Sequence, residues 1–409
     1  MASTASLGSR FWALWSATSA ANLADGISLT AFPLLAISLT DDARLVGLVS
    51  FARYLPFVVV GLPAGMLLDR FDRRLVATLA QVGRAAVLAG LGLFVATDQA
   101  TIGLLIGAAF VVGLGEVLTD GGLPALIRDV VLPTRLEVAN ARLVAAQTVT
   151  NLFLGPPLGA VLFQADPTLP FAAATVAFVA AAVVLGLLPG DYRGGSTDEG
   201  GSLMSRLTAG LRYVWSHPVL RPLALTVAVF AFVGEAGNAV LVILATERLG
   251  LGSFGFGALM SIHAVASVIT SFFVASIVRG IGHAGSLRLS VVVYAVTSVI
   301  IGITTSVAIA VAAMAVMGIA NPTWNVVSTT IRQRLVPGEV FGRMMTAYLF
   351  IAWGIQPFGA LLGGFVAEAW GPQWVYVIAG LAVGSLLLLA RPMFRQVKAA
   401  MSAATPPRR

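Results

Sequence analysis

The run Gly65-Met66-Leu67-Leu68-Asp69-Arg70-Phe71-Asp72-Arg73-Arg74 sets five charged residues at the junction of two long apolar blocks, 45–68 and 75–96. A helical block of that length crosses a hydrocarbon core of about 30 Å, at about 1.5 Å per residue. Charges this dense are costly inside the core, so the run reads as a turn where the chain leaves the membrane and re-enters it. Ten further blocks follow the same rule: 11–39, 101–122, 138–163, 168–188, 223–246, 255–278, 287–303, 307–330, 340–367 and 373–390. The expectation is an all-α membrane protein with twelve transmembrane helices.

Composition excludes the alternatives. Of 409 residues, 58% are hydrophobic and 11% charged, with mean hydropathy +0.93, whereas soluble domains carry about 25% charged residues. There is no cysteine, which removes disulfides, thiolate metal sites and cysteine nucleophiles. His217, His263 and His283 have no metal-ligand spacing, and no Walker-type phosphate loop or two-histidine metalloprotease motif is present. Neither a metal nor a cofactor is expected, and no catalytic constellation suggests an enzyme.

The formal net charge is +7, from 24 arginines and Lys398 against 18 acids. Only Arg44 and Arg248 fall on odd-numbered connections, and Arg53 and Arg84 fall inside apolar blocks. The other basic residues gather on the even-numbered side and the tails. That asymmetry is the positive-inside pattern, so it places both termini in the cytoplasm of a multi-pass protein of the inner membrane. It also explains the basic charge without nucleic acid.

The one long polar stretch separates two halves. The expected division is a six-helix bundle over 1–188, a cytoplasmic linker over 189–221, a second bundle over 222–390 and a basic tail over 391–409. Within the linker, Leu203, Leu207, Leu211, Val214 and Trp215 recur near helical spacing, as in an amphipathic helix on the cytoplasmic membrane surface. The halves repeat: at an offset of 204, Ile127, Arg128, Pro133, Gly155 and Gly159 map onto Ile331, Arg332, Pro337, Gly359 and Gly363. Earlier in each half the offset is 210, and Gly47 maps onto Gly257. A parallel repeat of six spans is the architecture of a secondary transporter, with its substrate site between the halves.

The opening run resembles the G-x-x-x-D-R-x-G-R-R loop of the major facilitator superfamily, with Asp72 where many members carry Gly. Asp72, together with 140–160, 210–220 and 331–343, is similar to the enterobactin-exporter and macrolide-efflux branch of drug:proton antiporters. The resemblance implies two pseudo-symmetric six-helix bundles. It implies that Asp69 sits at the N-terminus of the eleventh helix, and that Gly65, Arg70, Arg73 and Arg74 belong to the same inner gate. Arg73 would pair with an acid at the cytoplasmic end of the fourth helix, for which Asp120 is the candidate. Gly155, Pro156 and Gly159 resemble the G-P-x-x-G-G antiporter signature, with Ala160 in its last place. Those residues are either a bendable seal or ordinary small-residue packing.

Ionisable residues at membrane depth carry the remaining information: Asp25, Arg53, Arg84, Glu116, Glu235 and His263. A charge at a helix centre costs about 2.5–3.5 kcal/mol, so these groups must be paired, wetted or neutralised. At the offset of 210, Asp25 maps onto Glu235 and Arg53 onto His263. Both Asp25–Arg53 and Glu235–His263 are therefore candidate pairs, with Arg84 a competing partner for Asp25 or Glu116. By resemblance, helices one, four, seven and ten line the central cavity, placing Asp25, Glu116, Glu235, Asn238, Asn321, Trp324 and Asn325 there.

The expected function is proton-coupled export of amphipathic small molecules by a monomer that alternates access between its halves. Asp25, Glu235, Glu116, Arg53, His263 and Arg84 would handle the proton. Asp25, Glu235, Asn238, Asn321, Trp324 and Asn325 would meet the cargo. The alternatives are narrow export of a siderophore, other metabolite or lipid, and a non-transporting receptor or assembly factor.

Overall fold

The computed structural model describes residues 7–61, 64, 67, 70–190, 192 and 203–403. Gly65 and Asp69 of the opening run lie outside the described residues. Asp72 shows why an acid stands there: its carboxylate caps the third span (Arg73–Ala96), accepting from the Arg74 amide at 2.8 Å and the Leu75 amide at 3.2 Å. Capping satisfies amides that have no partner within the helix and places a negative charge at the positive end of its dipole.

Among the described residues, nine helical stretches are long and apolar enough to cross a membrane: Ser9–Leu39, Arg73–Ala96, Ile102–Val130, Leu169–Gly186, Leu220–Arg248, Ser253–Ile303, Val307–Leu335, Val340–Trp370 and Pro372–Leu389. Ser253–Ile303 contains two crossings, because Gly282 breaks it at φ 71°. The expected connection between spans eight and nine is thus a single glycine kink and not a loop. Span two (Ala43–Val59) and span five (136–165) complete the twelve.

Span five changes pitch midway. Between Leu136–Gln147 and Gly155–Ala165 the segment Thr148–Leu154 is wound wider, as a π-type turn. Pro156 and Pro157 follow it at once. Neither offers an amide hydrogen, and each ring crowds the carbonyl four residues earlier, so the preceding turn opens.

The chain forms two compact units. The first comprises Met1–Asp41, Ala52–Gly200 and Gly252–Ser261; the second comprises Asp42–Phe51, Gly201–Leu251 and Ile262–Arg409. The expected halves are therefore not followed residue for residue, since the opening turns of spans two and eight each group with the opposite half.

In the first unit, span one packs on span five through backbone. A Cβ on Gly155 would lie 2.4 Å from the Gly26 Cα, and one on Gly159 would lie 2.6 Å from the Ile27 carbonyl oxygen. The second unit repeats the device with spans seven and eleven: a Cβ on Gly359 would lie 2.1 Å from the Phe232 oxygen, and one on Gly363 would lie 2.5 Å from the Ala236 oxygen. The sequence repeat is thus a repeat of contacts. Such close approach gains packing where hydrophobic burial gives helices no reason to associate.

The linker helix (Leu203–Ser216) packs on protein: Gly210 is so close to span eleven that a Cβ would lie 2.1 Å from the Arg343 oxygen. Leu207 and Val214 are buried there, so part of the apolar stripe read from the linker is covered by protein. The basic tail likewise forms a helix, Arg391–Ala403, with Met393, Phe394, Val397 and Met401 buried in the second unit's core.

Replacing Gly155 with Ala forces backbone apart, and we expect a loss of about 1–3 kcal/mol. Gly107 has nothing within 4 Å of a new Cβ, so Gly107→Ala should be neutral or gain up to about 1 kcal/mol of helix propensity. Thermal melting of the two detergent-purified variants checks this; equal melting points would contradict the glycine contact.

Candidate functional site

The buried charges of the first unit form one cluster. Span one brings Asp25, span two Arg53, span three Arg84 and span four Glu116. The Arg53 Nη2 donates to the Asp25 Oδ1 at 3.3 Å and to the Glu116 Oε2 at 3.1 Å. Arg84 donates through Nη2 to that same Asp25 Oδ1. The two arginines thus share one carboxylate oxygen, and the competition left open by the sequence has both as winners. Two acids against two guanidinium groups make the cluster neutral when all four are ionised.

Packing explains how four charges come to lie in one place. Gly113 and Gly115 precede Glu116 on span four. A Cβ on Gly113 would lie 1.9 Å from the Arg53 oxygen, and one on Gly115 would lie 2.5 Å from the Arg84 Cδ. Both neighbouring spans therefore press against span four at the level of its acid. Arg84, 1% exposed, also stacks over the Phe178 ring at 4.1 Å and donates to Gln81 Oε1 at 3.4 Å. Gln81 reaches Thr119 at 3.4 Å, which ties spans three and four together below the cluster. Gly113, Gly115, Gln81, Thr119 and Phe178 were not singled out from sequence; the Gly-x-Gly-Glu order of span four was the available signal.

The second unit does not mirror this chemistry. Asn238 donates to Glu235 at 3.4 Å. His263 does not supply the base that symmetry assigns to Glu235. Instead its imidazole meets the Met314 backbone carbonyl of span ten. Gly318 permits that approach, since a Cβ there would lie 2.8 Å from the His263 oxygen.

Trp324 is 3% exposed, with its ring 5.1 Å from that of Phe230. Asn321 and Asn325 are exposed on one face, Asn325 donating to Asn321. Among the described residues no group of three or more histidines or acids could hold a metal ion.

Of the gate residues, Arg73 faces Asp129, on the last turn of span four, at 3.9 Å; Asp120 is not its partner. Arg74 donates to the Leu188 carbonyl at 2.6 Å, capping the end of span six within its own unit. Arg70 is exposed. Gly155, Pro156 and Gly159 are buried against span one beside Asp25. In the same unit Gly257 of span eight would set a Cβ 3.0 Å from the Pro156 oxygen and 2.6 Å from the Ala160 Cβ.

Removing one partner from a buried ion cluster costs about 3–5 kcal/mol, because the remaining charge loses its compensation. Arg84→Leu should therefore lower the melting point more than Arg53→Leu, whose side chain is less enclosed, at 9% against 1% exposure. The reverse order in a thermal melt would show Arg53 to be the principal counter-ion.

A sequence profile of the Major Facilitator Superfamily matches residues 14–355. The chain is 25% identical over 406 residues to the multidrug efflux pump Tap of Mycobacterium tuberculosis, covering 95% of this chain and 94% of that protein. It is 25% identical over 386 residues to the MFS-type transporter YfiS of Bacillus subtilis, covering 89% and 88%. Among solved structures, a bacterial homologue of the human lysosomal transporter Spinster superposes with TM-score 0.74 at 14% identity, covering 97% and 98%. The nucleoside transporter NupG superposes with TM-score 0.74 at 12% identity, covering 96% and 99%. With its twelve crossings in two repeated bundles, this chain belongs to the Major Facilitator Superfamily of membrane transporters.

Proposed function

We propose that the protein is a proton-coupled exporter of amphipathic small molecules, multidrug-type in breadth, working by alternating access as a monomer with both termini in the cytoplasm. The observation that carries the reading is the shared Asp25 oxygen. With Asp25 ionised the cluster is neutral. Protonation of Asp25 releases two guanidinium groups, leaving Glu116 as their remaining acid and a net charge of +1 in a low-dielectric site. That state disfavours a cationic cargo nearby, so proton and cargo compete.

The position of Asp25 gives titration a mechanical outlet. The next residue, Gly26, touches Gly155 across the crossing of spans one and five. A change in the Asp25 ion pairs therefore acts on a helix crossing with no side-chain cushion, next to a wide turn that two prolines hold open. Glu235 and Asn238 supply a second polar pair in the other unit, and the exposed Asn321 and Asn325 are candidate cargo contacts. Arg73 and Asp129 form the candidate inner latch. The identity to Tap supports export of drug-like molecules.

The test is transport in liposomes under an imposed pH gradient with a fluorescent lipophilic cation. Wild type should move dye only with the gradient, and Asp25→Asn should lower that movement at least tenfold while melting as a folded protein. Undiminished coupled movement in Asp25→Asn would take Asp25 out of the coupling path. No movement by folded wild type would replace broad export with a narrow metabolite cargo.

A further inference from the structure

The second unit buries an arginine of a different kind. Arg332, on the last turns of span ten, is 4% exposed. Its guanidinium lies over the Tyr348 ring of span eleven, 3.6 Å from Cζ to the ring centroid. Its Nη2 donates to the Thr329 hydroxyl at 2.8 Å. Its Nε and Nη1 have no acceptor, and among the described residues no carboxylate lies within 4.0 Å of it. Arg53 and Arg84 each have acids; among the described residues Arg332 has none.

Other donors are stranded nearby. Trp324, Ser328 and Arg332 lie four residues apart on one row of span ten, a single stripe along the helix. The Tyr348 hydroxyl is directed at Ser328 and Trp324 without completing a hydrogen bond to either, and the Trp324 indole Nε1 has no partner. Stacking on tyrosine stabilises a desolvated cation, but it engages the guanidinium face and leaves the edge donors unused.

Guanidinium and indole N–H groups can only donate. A water molecule could accept two such bonds and donate to the Tyr348 hydroxyl oxygen, but it would leave the positive charge uncompensated. An anion needs no acceptors and removes the charge. We propose that Arg332, Tyr348 and Trp324 form a binding site for a small monovalent anion of chloride size, inside the second unit near the inner end of spans ten and eleven. The stranded atoms are shut off from solvent, which favours a compact halide over a larger oxyanion or a lipid headgroup. The site is separate from the Asp25 cluster and does not depend on the transport reading.

The experiment uses the full chain in detergent, melted in sodium chloride, bromide, sulfate and gluconate at constant ionic strength. The expected result is a saturable rise of about 2–4 °C in chloride or bromide at a hundredfold excess over Kd, absent in gluconate and sulfate. Arg332→Gln should abolish the rise. Tyr348→Phe, which keeps the ring and loses one donor, should weaken the chloride midpoint about tenfold. Crystals grown with bromide should show an anomalous peak beside Arg332.

A melting point that follows ionic strength whatever the anion would overturn the proposal, as would a chloride effect retained in Arg332→Gln. An ordered water at the site with no bromide peak would do the same. A rise in sulfate comparable to that in chloride would overturn the halide assignment. If Arg332→Gln does not fold, the Tyr348→Phe midpoint and the bromide peak decide the matter.

Discussion

Two guanidinium groups on one carboxylate oxygen organise the first unit. A charge in hydrocarbon is tolerated only with its partner in reach, so the Asp25 interactions dictate where spans two, three and four must lie relative to span one. The rest of the packing serves that requirement. Gly113 and Gly115 remove the side chains that would hold Arg53 and Arg84 away, and Phe178 covers the face of Arg84 that no acceptor meets. Span four is thus small where it meets its neighbours and charged immediately afterwards.

The two units share a backbone and differ in chemistry. The contacts of spans one and five recur between spans seven and eleven with glycines in matching places. The acid of span one recurs as Glu235, whereas the arginine of span two is replaced by His263. Asp25 is ringed by arginine, whereas the second unit places Asn238 on Glu235 and turns His263 toward a backbone carbonyl. Repeated main-chain contacts preserve the architecture while the side chains around the buried acid diverge. The buried arginine of the second unit faces an aromatic ring where those of the first face acids.

Much of the fold could be read from periodicity and charge. Apolar blocks located the twelve crossings, because a bilayer imposes a length that a sequence displays directly. The repeat offsets pointed to Gly155, Gly159, Gly359 and Gly363, which the structure places at equivalent crossings. Depth along the chain put Asp25 and Arg53 at one level but could not rank Arg53 against Arg84, since that choice depends on helix rotation. The burial of Trp324 beside Phe230 is set by helix rotation in the same way. Asp129 was missed as the partner of Arg73 because span four runs on to Val130, beyond the end of its apolar block. Asp72 was read as a departure from a loop pattern, while its local role is a helix cap.

The contact of Gly26 with Gly155 also bears on how such a protein diversifies. Asp25 has its position set by neighbouring main chain, whose dimensions do not change when side chains elsewhere are exchanged. Substitutions at exposed positions such as Asn321 and Asn325 therefore leave the register of that acid untouched. A lineage can exchange side chains at these positions without re-tuning its buried charges. Rigidity at one crossing becomes a source of evolutionary freedom at the others.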